Sequence, residues 1–251
     1  LSVVLCVCMM LTMAPFAFAA GETEIQASTT ELSSGSYILK NDITLTSGAL
    51  TIPANETVSI NLNNHKLTNN DGDHTIVNNG TLTITGRGTV DNVSNGTAAL
   101  YNNAGATATL NGGTYTRSCE AGKSADNSGG NSYYTLKNFG TMTINSGVTV
   151  NQGADGNGKY SSLVANGWQN AGNPSKNQEP SIQRGGAQMT ITGGTFNGGL
   201  NTIKNDDCGT LTVSGGTFQN YTQTAFQNHN VATVNGGTFI AAEGTSAVIN
   251  C

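Results

Sequence analysis

The chain has 251 residues, of which only 10% are charged, and its formal net charge is −5. Its 10 Lys and Arg residues form no basic patch that could neutralise phosphates, which excludes nucleic acid as a partner. The 33 glycines and many Asn and Thr residues would also suit disorder, but apolar residues recur in register, which favours a folded chain.

The first residues have the character of an export signal. Residues 1–19 are uncharged and rich in Val, Leu, Met, Phe and Ala, and they end in Ala17-Phe18-Ala19, the small-x-small pattern of signal peptidase. We predict a signal peptide truncated at its start, because the initiator Met and a basic segment are missing, and hence a secreted or cell-surface protein. An uncleaved membrane anchor is the alternative. Residues 20–35 are interpreted as a lead-in.

The cysteines do not predict a disulfide framework. After removal of the signal peptide, Cys119, Cys208 and Cys251 remain, and they lack metal-site spacing. A pair between Cys119 and Cys208 is left open, and the fold is expected to depend on its own packing.

From residue 36 onward one short sequence motif recurs, in which Thr and apolar residues alternate before an Asn or Gly. Its copies lie at 81–86, 107–112, 141–145, 188–193, 210–215 and 231–236, with a looser copy at 59–64. The second apolar residue of each copy is Leu62, Ile84, Leu110, Ile144, Ile191, Val213 and Val234. The basic unit is therefore about 22 residues long, a period typical of solenoids.

Each unit contains three apolar points at which short strands are predicted. Alternation with period two places the Leu and Ile residues on one side and the Thr residues on the other. The second points are Val90, Tyr115, Val150, Phe196, Phe218 and Phe239, mostly reached through Gly-Gly-Thr, where glycine permits a tight bend. The third points are Ile76, Leu100, Leu136, Leu163, Ile203, Phe226 and Val248.

These points predict an all-β fold, a right-handed parallel β-helix of about eight coils with three short strands per coil and two long loop insertions. Each coil would stack on the last at a spacing of about 4.8 Å. A globular sandwich is the alternative, but it would need hairpin turns and strands at shorter spacing.

Asparagine recurs two residues after the third apolar point and predicts a stacked ladder at a corner of the helix. Its members are Asn78, Asn102, Asn138, Asn205, Asn228 and Asn250. Asparagine tolerates the left-handed conformation, and its amide can bond to the identical amide of the next coil. In the coil of Leu163, Ala165 takes the expected place and Asn166 follows, so we expect the ladder to be broken or displaced there.

The repeat at 209–218, the Ile-x-Asn triplets and the segment at 37–41 resemble the repeats of exported β-helix surface proteins of Gram-positive gut bacteria. These belong to the broad pectin-lyase-like superfamily. The resemblance covers residues 36–251. It implies that these residues form a β-helix domain and that the protein is adhesin-like, while it says little about activity. Since the chain stops at an Asn corner, we expect the domain to be incomplete at its C-terminus, with more coils, a cap or a cell-wall anchor beyond.

Enzymes of that superfamily cluster carboxylates around Ca²⁺ beside a basic residue, or use several Asp residues with a His. The nearest candidates are the segments 204–207 and 71–74, but adjacent Asp residues at a turn usually satisfy backbone donors. We therefore predict no catalytic residue.

We also predict no metal or cofactor. The segment 155–158 could form a calcium loop but is more simply a turn. His65, His74 and His229 lack metal-ligand spacing.

Outward Thr-x-Thr pairs are expected to stack into two columns, at 81/83, 107/109, 141/143 and 210/212. Such faces resemble those of ice-binding β-helices. The plainer interpretation is that Thr is favoured on a solvated β surface, and Gln188 and Val231 interrupt the columns.

Two insertions are predicted to form long loops that flank the face of Leu136 and Leu163 and create a groove. Leu136 follows Tyr115 by 21 residues, and Met189 follows Leu163 by 26. The predicted ligand-binding residues in or beside these loops are Trp168, Tyr133, Tyr134, Tyr160 and Arg184. Aromatic rings cover the apolar side of a sugar while amides bond its hydroxyls. The alternative is that these rings only pin the loops.

The sequence thus favours an exported, adhesin-like or glycan-binding scaffold protein. Its expected partners are a polysaccharide, a host or cell-surface glycan, or a protein, with cell-wall association through a further C-terminal region. A polysaccharide lyase or glycoside hydrolase of the same fold is the second interpretation, and a structural cell-wall stalk is the third.

Overall fold

The structure is a computed structural model, and it describes residues 21–93, 96–118, 134–152, 162–167 and 186–251. The predicted signal peptide and Cys119 lie outside these residues. All elements in the described part are β-strands, and no helix there is long and apolar enough to cross a membrane.

Within these described ranges, twenty-five strands form three parallel sheets. Sheet A contains β1 (Thr23–Glu24), β2 (Gly35–Ile38), β5 (Thr57–Asn61), β8 (Thr81–Thr85), β11 (Thr107–Leu110), β14 (Thr141–Ile144), β17 (Ala187–Ile191), β20 (Gly209–Val213) and β23 (Val231–Val234). Sheet B contains β4 (Leu50–Ile52), β7 (Ile76–Asn78), β10 (Leu100–Asn102), β13 (Leu136–Asn138), β16 (Val164–Asn166), β19 (Asn201–Asn205), β22 (Thr224–Asn228) and β25 (Val248–Asn250). Sheet C contains β3 (Ile43–Thr44), β6 (Lys66–Asn69), β9 (Thr89–Asn92), β12 (Gly113–Arg117), β15 (Val148–Gln152), β18 (Thr195–Asn197), β21 (Thr217–Gln219) and β24 (Thr238–Ile240).

The strand order confirms the right-handed parallel β-helix with three strands per coil. Within each sheet, a strand pairs with the equivalent strands of the coils before and after it. Leu82, for example, faces Ala108 in the next coil, and Ile84 faces Leu110. Because every strand pairing described is parallel, the antiparallel sandwich is excluded.

The inward columns of the three sheets form one continuous hydrophobic interior. Phe196, Phe218 and Phe239 stack on one another with ring centroids 4.7 Å apart at each step. The chain enters this column through glycines in the left-handed region, such as Gly216 at φ 111°, where a side chain would be strained. Aliphatic and aromatic side chains thus pack mainly on their counterparts in neighbouring coils, as expected for a solenoid.

The structure corrects the predicted alignment at two places. In sheet A, Ile60 and not Leu62 pairs with Ile84. In sheet B, Val164 and not Leu163 pairs with Leu136 and Ile203. Ile60 and Leu62 are two residues apart, so their side chains lie on the same side of the chain, and both are buried. Hydrophobicity alone therefore could not decide which of them pairs with Ile84.

The predicted lead-in takes part in the fold. Strand β1 pairs with β2, and Ile25 and Leu32 are buried against the first coils. The backbone N–H of Leu32 donates to the carbonyl of Thr51, and Glu31 forms an isolated bridge with the same residue. Residues 23–32 therefore cover the N-terminal end of the hydrophobic interior.

A column of asparagine side chains runs along the corner between sheets B and A. Each amide Nδ2 donates to the Oδ1 of the next coil at 2.6–2.8 Å, through Asn78, Asn102, Asn138, Asn166, Asn205, Asn228 and Asn250. The break predicted in the coil of Leu163 is wrong, because strand register places Asn166, not Ala165, opposite Asn138 and Asn205.

A second set of asparagines occupies the corner between sheets C and B. Asn69, Asn92 and Asn220 are fully buried. Their amides do not bond to one another but donate to backbone carbonyls of the turn: Asn69 to Gly48, Asn92 to Asp73, and Asn220 to Gly199. Both corners on either side of sheet B are therefore held by buried amides, which makes this sheet a well-fixed platform.

Candidate functional site

The outward face of sheet B carries side chains unlike those of the other two faces. From β7 to β22, each strand of this sheet has an apolar residue and an Asn that point inward, and the residue between them points outward. In register, these middle residues are Val77, Tyr101, Lys137, Ala165, Lys204 and Gln227. We call them the outer row of sheet B; it combines an aromatic ring with two lysines.

Aromatic rings gather at one end of the outer row. The imidazole of His74 stacks on Tyr101 with centroids 4.6 Å apart and an interplanar angle of 25°. The ring of Phe139, directly after β13, lies 5.6 Å from Tyr101 in a tilted arrangement. These two rings and the imidazole, together with Tyr134 before β13, form what we call the aromatic strip. His74 and Tyr101 are half-buried, so part of the strip is accessible.

Lys137 connects the aromatic strip to a charged cluster. Its Nζ lies 4.3 Å from the ring centroid of Tyr134 and 4.8 Å from that of Phe139, within the range of cation–π attraction. The same Nζ donates to the carbonyl of Gly167 at 2.5 Å. Ala165, the next member of the outer row, is small, which leaves room for the long Lys137 side chain. The lysine is fully buried, and these contacts compensate part of its desolvation.

Asp206 is the carboxylate of this cluster. It is fully buried, and Lys204 Nζ lies 3.3 Å from its Oδ1 as an ion pair whose geometry falls short of a hydrogen bond. Among the described residues neither oxygen has a hydrogen-bond partner. Burial raises the pKa of Asp206, while the positive charges of Lys204 and Lys137 oppose that rise. The pKa of the Tyr134 hydroxyl is also raised, chiefly by burial and further by the charge of Asp206.

His229 follows Asn228 as Asp206 follows Asn205, so the two residues take equivalent positions in adjacent coils. The Nε2 atom of His229 is buried and has no hydrogen-bond partner within the described part of the chain. We call Lys137, Lys204, Asp206 and His229 the charged cluster. It places two lysines and a histidine around one carboxyl.

His74 is neutral at physiological pH. Burial lowers its pKa to about 4, against a small opposing effect of Asp73. The backbone N–H of Ala98 donates to His74 Nδ1 at 2.8 Å, which requires that nitrogen to be unprotonated. The stack of His74 on Tyr101 is therefore a contact between two neutral rings.

The pKa of His74 predicts an acid sensitivity of the fold. Because the pKa of His74 is lower in the folded chain than the ordinary histidine value of 6.5, its contribution to the free energy of unfolding is complete above pH 6.5 and is lost as the pH falls towards 4. We expect this residue to contribute about 2–4 kcal/mol of that loss. Urea unfolding of wild type and His74→Phe between pH 7 and 4 measures it: the variant should show the shallower decline, and parallel curves would contradict the shifted pKa.

Of the predicted ligand-binding residues, Tyr134 lies in this site. Tyr133, Tyr160, Trp168 and Arg184 lie outside the described residues. No sequence motif pointed to Tyr101, Phe139 or Lys137, whereas His74 lies in the candidate segment 71–74, and Lys204 and Asp206 lie in the candidate segment 204–207. A comparison of the middle residues of the Ile-x-Asn triplets would have found Tyr101 and Lys137, since these break a pattern of Val, Ala and Gln.

The other candidate segments have structural roles. In the segment 71–74, Asp71 accepts hydrogen bonds from the backbone N–H groups of Gly48 and Asp73, which keeps the pKa of Asp71 below its usual value. His65 pairs with Asp42 at 3.3 Å. The described residues contain no group of three or more side chains that could hold a metal ion. The segment 155–158 lies outside them, and Cys208 and Cys251 are free thiols.

Compared with known proteins, the chain matches no family model, no curated protein and no solved structure.

Proposed function

We propose that this protein is a glycan-binding scaffold, an adhesin-like β-helix that is exported and acts at the cell surface or after secretion. The contact site is the outer row of sheet B with the aromatic strip and the charged cluster. The observation that carries the proposal is the juxtaposition of a half-buried Tyr101–His74 stack with Lys137, Lys204 and Asp206 on one rigid sheet.

The chemistry of this face suits a sugar. A pyranose presents an apolar face, which an aromatic ring can cover, and a rim of hydroxyls, which carboxylate, ammonium and amide groups can bind. Adjacent coils are about 4.8 Å apart, so the strip from His74 to Phe139 covers the length of one or two sugar residues. The partly accessible Lys204, which is held beside Asp206, could donate hydrogen bonds to sugar hydroxyls.

The scaffold supports binding because it holds the side chains in place before a ligand arrives. Each triplet strand of the outer row is fixed by backbone pairing on both sides and by a ladder asparagine beneath it. A ligand then pays little for ordering the protein, which favours affinity at a small site. Rigid surfaces of this kind are suited to adhesion.

A second candidate is a polysaccharide lyase or glycoside hydrolase. It is favoured by Asp206, since a buried carboxyl with a raised pKa keeps its proton longer and can act as a general acid. The cluster supplies lysines but no second buried carboxylate among its members. Binding is therefore the first proposal, and a structural wall component is the interpretation that remains if no ligand binds.

The test is a glycan array with the whole chain, followed by titration of each hit with two variants. Tyr101→Ala removes the half-buried ring of the strip and should weaken binding by roughly tenfold or more. Tyr221→Ala removes a tyrosine that is 45% exposed and outside the site, and it should leave affinity unchanged. Equal affinities for the two variants, or an array without hits, would contradict the proposal.

The same samples separate binding from catalysis. Each bound glycan is incubated with wild type and with Asp206→Asn, and reducing-end and unsaturated products are measured. Binding without products supports the scaffold. Products from wild type that disappear in Asp206→Asn would establish the enzyme instead.

A further inference from the structure

A third corner of the helix lies between sheets A and C, where the chain turns after each strand of sheet A. The backbone N–H of the turning residue donates to the strand of the preceding coil, as Asn111 does to Ile84 and Asn235 to Val213. The equivalent residues, which we call the A–C corner, are Thr85, Asn111, Asn145, Thr192, Ser214 and Asn235. Unlike the buried asparagines on either side of sheet B, Asn111 and Asn235 are exposed.

Glycine follows these two asparagines because the preceding coil passes too close for a side chain. A Cβ at Gly112 would lie 2.6 Å from the carbonyl oxygen of Gly86. One at Gly236 would lie 2.5 Å from the carbonyl oxygen of Ser214. Both contacts are with backbone atoms, which cannot move aside as the end of a side chain can, so glycine is required. Where the corner residue is asparagine, the stacking of the coils therefore imposes an Asn-Gly pair.

An Asn-Gly pair can change its own covalent structure. The glycine nitrogen loses its proton and attacks the asparagine Cγ, so that a new C–N bond forms, the Cγ–Nδ2 bond breaks and ammonia leaves with the proton. Water then opens the resulting succinimide at either carbonyl, which gives aspartate or isoaspartate. The reaction is intramolecular and needs only water, and glycine favours it because no Cβ lies beside the attacking nitrogen.

The Asn-Gly pairs of the chain differ in the state of the attacking nitrogen. Within the described residues, these pairs lie at 79–80, 111–112, 166–167, 197–198 and 235–236. The N–H groups of Gly80, Gly167 and Gly198 each donate a hydrogen bond, at 3.2, 2.8 and 2.9 Å from their acceptors. The N–H groups of Gly112 and Gly236 donate none to any described residue.

The asparagine side chains differ in the same direction. Asn166 is fully buried and bonded in the ladder, and Asn79 and Asn197 are half-buried and bonded to an asparagine of a neighbouring coil. Asn111 accepts a hydrogen bond at its Oδ1 from the next coil, which polarises the carbon that is attacked. The side chain of Asn235 forms no hydrogen bond with the described part of the chain.

We propose that Asn111 and Asn235 are modification sites at which the folded chain deamidates spontaneously, while the other described Asn-Gly pairs are protected. Attack requires the glycine nitrogen to lose its proton and to turn towards Cγ. A bonded N–H must first break its hydrogen bond, whereas the glycines of the two corner pairs have no such bond to lose. Each conversion places a negative charge on a corner that contains none, and isoaspartate adds a carbon atom to the backbone there. The inference does not rest on the glycan site, which lies on sheet B.

The experiment compares the same pairs in the folded and the unfolded chain. The whole chain is incubated at neutral pH in buffer and, in parallel, in guanidinium chloride. Peptide mapping by mass spectrometry measures the deamidated fraction of each asparagine, and labelling with an isoaspartyl methyltransferase identifies isoaspartate. In denaturant every pair has the same attacking residue, so the rates should be similar and serve as an internal reference.

In the folded chain, we expect the two corner asparagines to react at least roughly tenfold faster than those of the bonded pairs. Asn235 should react first, because Gly236 is half-buried while Gly112 is buried. Equal rates at all the described pairs would mean that the reaction passes through global unfolding, and this result would overturn the proposal. Faster reaction at a bonded pair than at the corner would overturn it as well.

Two variants and a second measurement complete the test. Thr and Ser occupy the A–C corner in other coils, so Asn111→Thr and Asn235→Ser should fold and should each lose only their own deamidation signal. Amide hydrogen exchange of the wild type reports on the attacking nitrogens directly. Gly112 and Gly236 should exchange faster than Gly167, and equal protection of these three amides would contradict the proposal.

Discussion

Asn138→Ala is expected to lower the free energy of unfolding by roughly 3–5 kcal/mol, because several buried polar groups lose their partner at once. The amide of Asn138 donates to Asn166 Oδ1 and to the carbonyls of Gly140 and Gln188, and its Oδ1 accepts from Asn102 and Gly140. All of these groups lie in the packed corner, where water cannot readily replace the amide. Urea unfolding followed by circular dichroism measures the loss.

Asn145→Ala is the matched control. Asn145 also bonds to side chains of neighbouring coils, namely Asn111 and Thr192, but at an exposed corner. Water can take over those hydrogen bonds, so the loss should stay below about 1 kcal/mol. Similar losses for Asn138→Ala and Asn145→Ala would mean that the buried ladder contributes no more than a surface contact.

Phe218→Ala is the second substitution with a large expected effect. Its ring is fully buried between Phe196 and Phe239, with centroids 4.7 Å away on both sides. Removing it leaves a cavity that the stiff coils cannot close, and we expect a loss of about 3–5 kcal/mol in the free energy of unfolding. Hydrogen exchange should place the lost protection in the coils on either side, since solenoid coils depend on their neighbours.

Phe239→Ala provides the comparison for this prediction. Phe239 belongs to the same column, one coil further on, but is only partly buried. Its removal exposes less new surface and creates no closed cavity, so the loss should be about half that of Phe218→Ala or less. A larger loss at Phe239 than at Phe218 would show that burial does not decide how much each ring contributes to the stability of the column.

The sequence was sufficient to predict the fold because a parallel β-helix repeats its environment every coil. Ile84 packs in the interior against the equivalent residue of the next coil, Leu110, so both positions require an apolar side chain. The requirement therefore appears as a repeating pattern within a single sequence. The same reasoning located most of the asparagine ladder. Periodicity thus reports those contacts that are made between equivalent positions.

The alignment errors arose where the period was locally ambiguous. Leu163 and Val164 are both buried, and a choice of Leu163 put Ala165 in the place of the ladder asparagine. Hydrogen bonding settles the register, because only Asn166 can donate to Asn205 and accept from Asn138. A prediction that required the ladder to continue would have selected Val164 from the sequence.

The candidate site was less visible because it also depends on contacts between residues at different positions of their coils. Lys137 contacts Tyr134, Phe139 and Gly167, which lie at different positions of their coils. The burial of Asp206 follows from this packing and leaves no trace in the repeat. Tyr134 was predicted as a ligand-binding residue from its place at the end of a predicted loop, and the segment 204–207, which holds Lys204 and Asp206, was considered but interpreted as a turn.

The asparagine ladder has a consequence for how such a protein can change over generations. Bonded members are separated by 24, 36, 28, 39, 23 and 22 residues along the chain, yet their bonds stay at 2.6–2.8 Å. The column therefore tolerates coils of very different length, provided that each returns an asparagine to the corner. Insertions between strands can be acquired, enlarged or lost one coil at a time while the axis of the molecule is preserved. The surface loops can therefore diversify while the fold is inherited unchanged.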